Sequence, residues 1–246
     1  MDNLTQIYQY QTGAGKESFS YKWETVYRLL KEYRLRCARK YISKSGNLLE
    51  IGPADAGMSM ELAKMFDRVV IIEPTHEFAD DLKRDLDVGK NVNIVNSAIK
   101  DYKKGEKYDY IILSHVLEHI ENDSEVLKKL KEMLEEEGRV FIMVPNANCI
   151  NRKIGIKLNL SNSPFDLNER DKKIGHLRVY NFQSLIKVCE SAGFKVINKG
   201  GLFIKPFPNE KMEKICSEEL LRIFMELGEE YPEISTEIYV VCENIR

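Results

Sequence analysis

The 246-residue chain contains four histidines: His76, His115, His119 and His176. Imidazole is the side chain whose ordinary pKa lies nearest neutrality, so such scarce groups are worth placing first. His115, Glu118 and His119 spell H-x-x-E-H. Positions i, i+3 and i+4 share one helix face, and this is the zinc spacing of one class of metalloproteases. That motif belongs inside a helix, whereas here it follows directly on the strand-like run YDYIILS. Magnesium would prefer oxygen to the histidine at the first position. No metal is expected. His176, Arg178 and Tyr180 alternate in GHLRVY, so an extended backbone turns a base, an anion clamp and a phenol to one side.

A second constellation is LLEIGPADAG, with Glu50 at the end of an apolar run and Gly52 in the turn after it. A glycine there lets backbone approach a ligand closely. Glu73 closes the next apolar run, VVIIEP, 21 residues beyond Gly52. An acid at about that distance can take the hydroxyls of a ribose. Together the two features favour an adenosine-containing ligand. They do not by themselves separate a nicotinamide cofactor from S-adenosylmethionine, although the order Gly52, Pro53, Ala54, Asp55, Ala56, Gly57 does not complete a G-x-G-x-x-G fingerprint.

These residues need a scaffold, and the hydrophobic pattern supplies one. Helical periodicity covers 17–44, 57–66, 76–87, 123–136 (with Gly138 as its stop), 181–192 and 209–227. Apolar runs at 47–51, 68–73, 92–96, 108–114, 139–145, 194–205 (interrupted by Gly-Gly) and 236–243 read as strands. Continuous apolar strands separated by helices mean a parallel sheet covered on both faces. Such sheets bind ligands beyond the carboxyl ends of their strands, which is where Gly52, Glu73 and His115 fall. The pattern breaks over 146–175, a polar stretch long enough to be a lid or insertion.

The fourth strand with its sequel, YDYIILSHVLEHI, taken with LLEIGPADAG and VVIIEP, resembles the class I S-adenosylmethionine-dependent methyltransferases. It is most similar to their small-molecule branch with a v-L-E-H motif, the sugar, surface-glycan and quinone-type enzymes. The resemblance covers 46–145 and continues more loosely through 175–194. It implies an α/β, Rossmann-like, seven-stranded, mostly parallel sheet with helices on both faces and an antiparallel last strand. The organisation it implies is a single domain: an N-terminal helical cap (1–45), a cofactor-binding core (46–145), the insertion (146–180) and the rest of the sheet (181–246). Glu50, Gly52 and Ala54 would shape the methionine pocket. Glu73 and Pro74 would hold the ribose, and Ser97, Ala98 and Ile99 would line the adenine. Ser114 and His115 would sit beside the methionine end. The chain departs from the family where Ala54 and Ala56 replace glycines of the turn, and where Ala98 stands in place of an acid. Within the H-x-x-E-H cluster, His115 is expected to face cofactor or substrate, with Glu118 and His119 holding the loop by hydrogen bonds.

The sulfonium of S-adenosylmethionine is a strong methyl donor, so the protein mainly has to align an in-line attack. A hydroxyl nucleophile gains from a base near neutrality, which points to His115 or His176 as catalytic residues. Residues 151–178 carry seven basic against three acidic side chains, which suits a cover for an anionic substrate held by Arg178 and Tyr180. The expected function is O-methylation of a small polar metabolite such as a phosphorylated or nucleotide-linked sugar or a capsule precursor. The alternatives are an amine N-methyltransferase, an RNA methyltransferase and a non-catalytic cofactor-binding module. A net charge of −2 counts against nucleic acid as partner, leaving a small molecule and a homodimer. The chain shows neither a secretory h-region nor a long apolar run, and its five cysteines are scattered, so a cytoplasmic location without membrane contact is expected. The basic segment 16–44 and the acidic segment 209–246 are of a sign to complement one another, and aromatics over 8–23 could close over the site.

Overall fold

The computed structural model describes residues 24–43, 45–86, 91–103 and 105–245. Seven strands form one sheet in the order β3-β2-β1-β4-β5-β7-β6. They are β1 (Asn47–Ile51), β2 (Arg68–Glu73), β3 (Val92–Asn96), β4 (Tyr108–Ser114), β5 (Leu134–Pro145), β6 (Phe194–Leu202) and β7 (Glu237–Asn244). The first five run parallel, and β7 lies antiparallel between β5 and β6. This is the seven-stranded, mostly parallel, Rossmann-like sheet that the family resemblance implies, and the apolar runs mark its strands. Strand order reverses between β1 and β4, and ligands bind at such a switch point.

Alternation along the strands feeds two cores. Leu49, Ile51, Ile111, Leu113, Val140 and Ile142 face one side, where α4 (Asp123–Met133) and α7 (Phe182–Ser191) bring Val126, Leu127, Leu130 and Leu185. Leu48, Ile71, Ile112 and Phe141 face the other, where α1 (Glu24–Arg39) and α9 (Glu218–Glu230) bring Leu29, Tyr33, Leu221 and Met225. The helices α2 (Ala56–Ala63) and α3 (His76–Asp85) follow the first two strands. The part of the N-terminal helix before residue 24, and the aromatics of 8–23, lie outside the described residues.

Three predicted elements differ from the structure. Helix α4 ends at Met133, and Leu134 already pairs with Tyr108 in β5. Gly138 is therefore not a helix stop but a point of close approach, where a Cβ would lie 2.8 Å from Leu134 Cδ1 and 3.0 Å from the Asp109 carbonyl. The helix over 209–227 is two, α8 (Asn209–Ile215) and α9, because Ser217 starts a new one by accepting the Leu220 amide at 3.2 Å. The insertion is folded rather than irregular, with α5 (Ile150–Lys157) and α6 (Glu169–Lys173), the latter opened by a capping box between Asn168 and Asp171.

The charge complement of the two chain ends is real. Arg28 and Arg36 of the basic helix α1, and Lys40 just after it, pair with Glu218, Glu226 and Glu229 of α9, and Arg222 of α9 returns to Glu32. Glu213 of α8 accepts the Thr25 and Val26 amides at 3.2 and 2.9 Å, satisfying the free N–H groups at the described start of α1. Exposed pairs add little energy singly. Lys31 and Arg34 of α1 line a cavity at the strand ends.

Candidate active site

Two cavities flank the carboxyl end of β1, and Ile51 lines both. The larger, about 370 Å³, is walled by Gly52, Pro74, Ala98, Ile99, Val116 and His119. Its volume suits a nucleoside, and its walls are apolar with polar groups at the rim. The smaller, about 60 Å³, is lined by Lys31, Arg34, Glu50, Asp55 and Ser114. Both signs of charge meet there, as a zwitterionic amino-acid end requires, and Lys31 and Asp55 pair at 3.0 Å.

The turn after β1 is shaped by backbone conformation. Gly52 has φ 58° and donates its N–H to the Ile72 carbonyl. Ala54 has φ 59°, a left-handed conformation that glycine adopts at far less cost. It is held there by Glu73, whose Oε2 accepts the Ala54 amide at 3.2 Å while Oε1 accepts Thr75 at 3.0 Å. Glu73 is fully buried, and burial pushes its carboxyl up to about 7 despite these bonds. Glu50 is likewise buried and pushed up to about 7. Its Oε2 accepts Ser59 Oγ at 2.6 Å and its Oε1 has no hydrogen-bond partner. An orphaned carboxylate oxygen beside a small polar cavity is what a bound ammonium would satisfy. S-adenosylmethionine, with a nucleoside at one end and an ammonium and carboxylate at the other, fits these walls. Ala98 and Ile99 line the larger cavity, whereas the Ser97 hydroxyl turns to the Ala98 carbonyl at 3.0 Å.

Beyond Ser114 the chain strains. His115 has φ 57°, unusual for a residue with a side chain, and a short 3-10 turn, Leu117–His119, follows. His115 lies between two carboxylates, Nδ1 3.4 Å from Glu118 Oε1 and Nε2 3.2 Å from Glu237 Oε2. Burial and Arg34 oppose its protonation, but Glu237 and Glu118 prevail and hold the imidazole above its usual range. Arg34 grips Glu237 with two nitrogens, at 2.8 and 2.5 Å. Against the cost of burial, Arg34 and His115 keep Glu237 far below the ordinary carboxylate range. Composition gave no hint of this pairing. A signal existed in Arg34, which shares the apolar helix face of Leu30 and Cys37, and in Glu237, which opens an apolar strand.

His119 lines the larger cavity, and its Nδ1 lies 3.2 Å from the Gly175 carbonyl, so it does tie the loop as expected. Burial outweighs the pull of Glu118 and holds its ring below the usual imidazole range. Glu118 ties the loop only through its main chain, whose carbonyl accepts the Leu177 amide at 2.9 Å. Its carboxylate is fully buried with no hydrogen bond to either oxygen. His176 packs edge-on against His119, ring centroids 4.8 Å apart, with Nε2 3.9 Å from Glu118 Oε1 and Nδ1 3.3 Å from Asp171 Oδ1.

The structure thus gathers His115, Glu118, His119 and His176, but it separates the trio in GHLRVY. Arg178 and Tyr180 turn away from His176 and meet at Asp123, with Arg178 Nη1 at 2.8 Å and the Tyr180 hydroxyl donating at 2.7 Å. Arg152 is spent on Asp171 and on main-chain carbonyls, and Arg170 donates to Tyr27 of α1 at 3.1 Å. Three of the insertion's seven cations are therefore engaged, Arg152 within the insertion and Arg170 and Arg178 on α1 and α4. His76 is exposed, 2.9 Å from Asp80, and lines neither cavity.

A family model described as a methyltransferase domain matches residues 23–199. Among curated proteins, (S)-coclaurine N-methyltransferase of Thalictrum flavum subsp. glaucum is 24% identical over 113 residues, 44% of this chain and 31% of the relative. The matched stretch thus spans about a third of that relative's length. Among solved structures, a possible histamine N-methyltransferase of Thermotoga maritima superposes with a TM-score of 0.66 at 14% identity, covering 97% of this chain and 100% of that one. The N-methyltransferase NodS of Bradyrhizobium japonicum WM9, in complex with S-adenosyl-L-homocysteine, superposes at 0.61 and 12% identity, with 100% of each chain covered. The last two show a shared fold. With the family model matched over most of its length, the chain belongs to the methyltransferase-domain family.

Proposed function

We propose that the protein transfers a methyl group from S-adenosylmethionine to a hydroxyl of a small polar metabolite, leaving S-adenosyl-L-homocysteine. S-adenosylmethionine supplies an electrophilic methyl on sulfonium; the chain supplies position and a proton acceptor. Glu73 and Pro74 take the ribose. Glu50, Lys31 and Arg34 meet the amino-acid end. The observation that carries the choice of a hydroxyl is the cluster of Glu118, His119 and His176, whose member His119 lines the larger cavity while the other two are buried behind it. A hydroxyl must lose a proton as it attacks, and this cluster can take it up. An amine that arrives neutral needs no such group.

Within the cluster, His119 is the member that faces the cavity. His115, braced by two carboxylates, positions the turn and supplies a positive charge. Both assignments depart from the expectation of His115 or His176 as base and of His119 as a structural residue. A substrate role for Arg178 or Tyr180 would require Asp123 to release them. The relatives' names favour amines, so N-methylation is the second reading. A panel of phosphorylated sugars, nucleotide sugars, small amines and RNA, offered with methyl-labelled S-adenosylmethionine, tests the proposal. Label in hydroxylated acceptors supports it. Label only in amines favours the second reading, and label only in RNA would sink both.

A further inference from the structure

We infer that Glu118, His119 and His176 form a binding site for a transition-metal dication of the zinc type, at the root of the lid. One ligand atom from each lies within 4.8 Å of those of the other two. The site joins the 3-10 turn after β4 to the segment that follows α6. His115, the first residue of H-x-x-E-H, is not in the set, because its two ring nitrogens face Glu118 and Glu237.

Three further observations point to a ligand. First, the Glu118 carboxylate is 0% exposed; His115 Nδ1 stands 3.4 Å from its Oε1, but its Oε2 has no hydrogen-bond partner. A buried carboxylate left so is costly, and a cation between its oxygens and two imidazoles would remove the cost. Second, each histidine has one nitrogen already turned to an oxygen acceptor. His119 Nδ1 faces the Gly175 carbonyl at 3.2 Å, and His176 Nδ1 faces Asp171 Oδ1 at 3.3 Å. In both rings that leaves Nε2, and in His176 it looks towards Glu118 at 3.9 Å. An outer carbonyl or carboxylate on the far nitrogen is the arrangement that fixes the tautomer of metal-binding histidines. Third, Asp171 is itself anchored by Arg152 at 2.5 Å and by the Asn168 capping box, so the outer support is rigid.

Two imidazoles and one carboxylate suit zinc and its first-row neighbours, whereas magnesium and calcium want oxygen. The set leaves coordination positions free, and His119 lines the larger cavity. The ion's part in catalysis rests on the hydroxyl-methylation reading: with the ion bound, His119 and His176 would be ligands rather than proton acceptors, and the ion, on the acceptor oxygen, would ease loss of the proton to water. The site itself does not rest on that reading.

The test uses the full chain, stripped with a chelator and dialysed, then titrated calorimetrically with zinc and separately with magnesium, with cobalt as spectroscopic probe. One zinc per chain is expected, magnesium binding far more weakly, and a cobalt spectrum of a nitrogen-ligated site. His176→Asn and Glu118→Gln should each lower zinc affinity about 100-fold or more, and Asp171→Asn about 10- to 100-fold, with S-adenosyl-L-homocysteine binding retained. No zinc uptake by the wild type, equal affinity for magnesium, or unchanged zinc affinity in His176→Asn would overturn the inference. Should the variants lose S-adenosyl-L-homocysteine binding, the wild-type cobalt spectrum decides, the spectrum of the free aquo ion being the refuting result. Zinc binding without methyl transfer would leave the site standing and remove the function. Hydroxyl methylation with no zinc uptake would do the reverse.

Discussion

Glu73 gives the sharpest prediction about the cofactor. Its carboxyl is fully buried at the end of β2, and burial pushes it up to about 7. A carboxylate that accepts hydrogen bonds from two ribose hydroxyls binds best when ionised. At pH 8 most of the protein carries the ionised form. At pH 6 only about a tenth does, so binding loses about 10-fold, or ~1.4 kcal/mol, from this group. Glu50 is pushed up to about 7 as well and lines the smaller cavity, proposed above for the amino-acid end. With both groups titrating, affinity for S-adenosyl-L-homocysteine should fall about 100-fold between pH 8 and pH 6. Glu73→Gln should weaken binding about 10-fold or more at pH 8, since a neutral amide cannot replace a charge-assisted acceptor, and should remove one of the two titrating steps. Isothermal titration calorimetry across this range reads both. A wild-type affinity that stays constant from pH 6 to 8, or a Glu73→Gln profile parallel to the wild type, would refute the placement of the ribose.

The same two acids set the stability of the ligand-free protein. Their native pKa lies above the ordinary value of 4.5, so the folded state holds protons that the unfolded state has released between pH 4.5 and about 7. Stability should fall as pH rises through that window and stay level above it. Glu50→Gln should raise the ligand-free melting temperature at pH 8, by at most ~3 kcal/mol of stability, and weaken cofactor binding; an unchanged melting temperature contradicts the burial argument. Ala54→Gly should stabilise the turn by about 1 kcal/mol, since Ala54 pays for φ 59°, and chemical denaturation reads it. Glu237→Gln leaves Arg34 and His115 without their shared counter-charge and should cost about 3–5 kcal/mol; a loss below ~1 kcal/mol would mean the ion group is not structural.

The parts of this molecule that were legible in its sequence are those governed by local pattern. The strands β1, β2 and β4 announce themselves as apolar runs, and the turn at Gly52 and the acid at Glu73 follow at a fixed distance because one βαβ unit has a fixed length. The end of α4 was not legible, because Leu134 leaves the helix to pair with Tyr108, a contact made across the sheet. The roles of the histidines were hidden for the same reason. Whether His115 or His119 faces a cavity depends on one left-handed residue and one 3-10 turn, and the partners that fix His115 arrive from α1 and β7. The lid's basic residues looked free in composition, yet Arg152, Arg170 and Arg178 each have a partner.

The account stands or falls on the atom that receives the methyl group. With carbon-13-methyl S-adenosylmethionine and the acceptor found by screening, the chemical shift of the transferred carbon separates an O-methyl from an N-methyl product. An O-methyl resonance, lost in a chain that lacks the Glu118, His119 and His176 side chains but still binds S-adenosyl-L-homocysteine, is what the geometry predicts. An N-methyl resonance, or transfer undiminished in that variant, would contradict it.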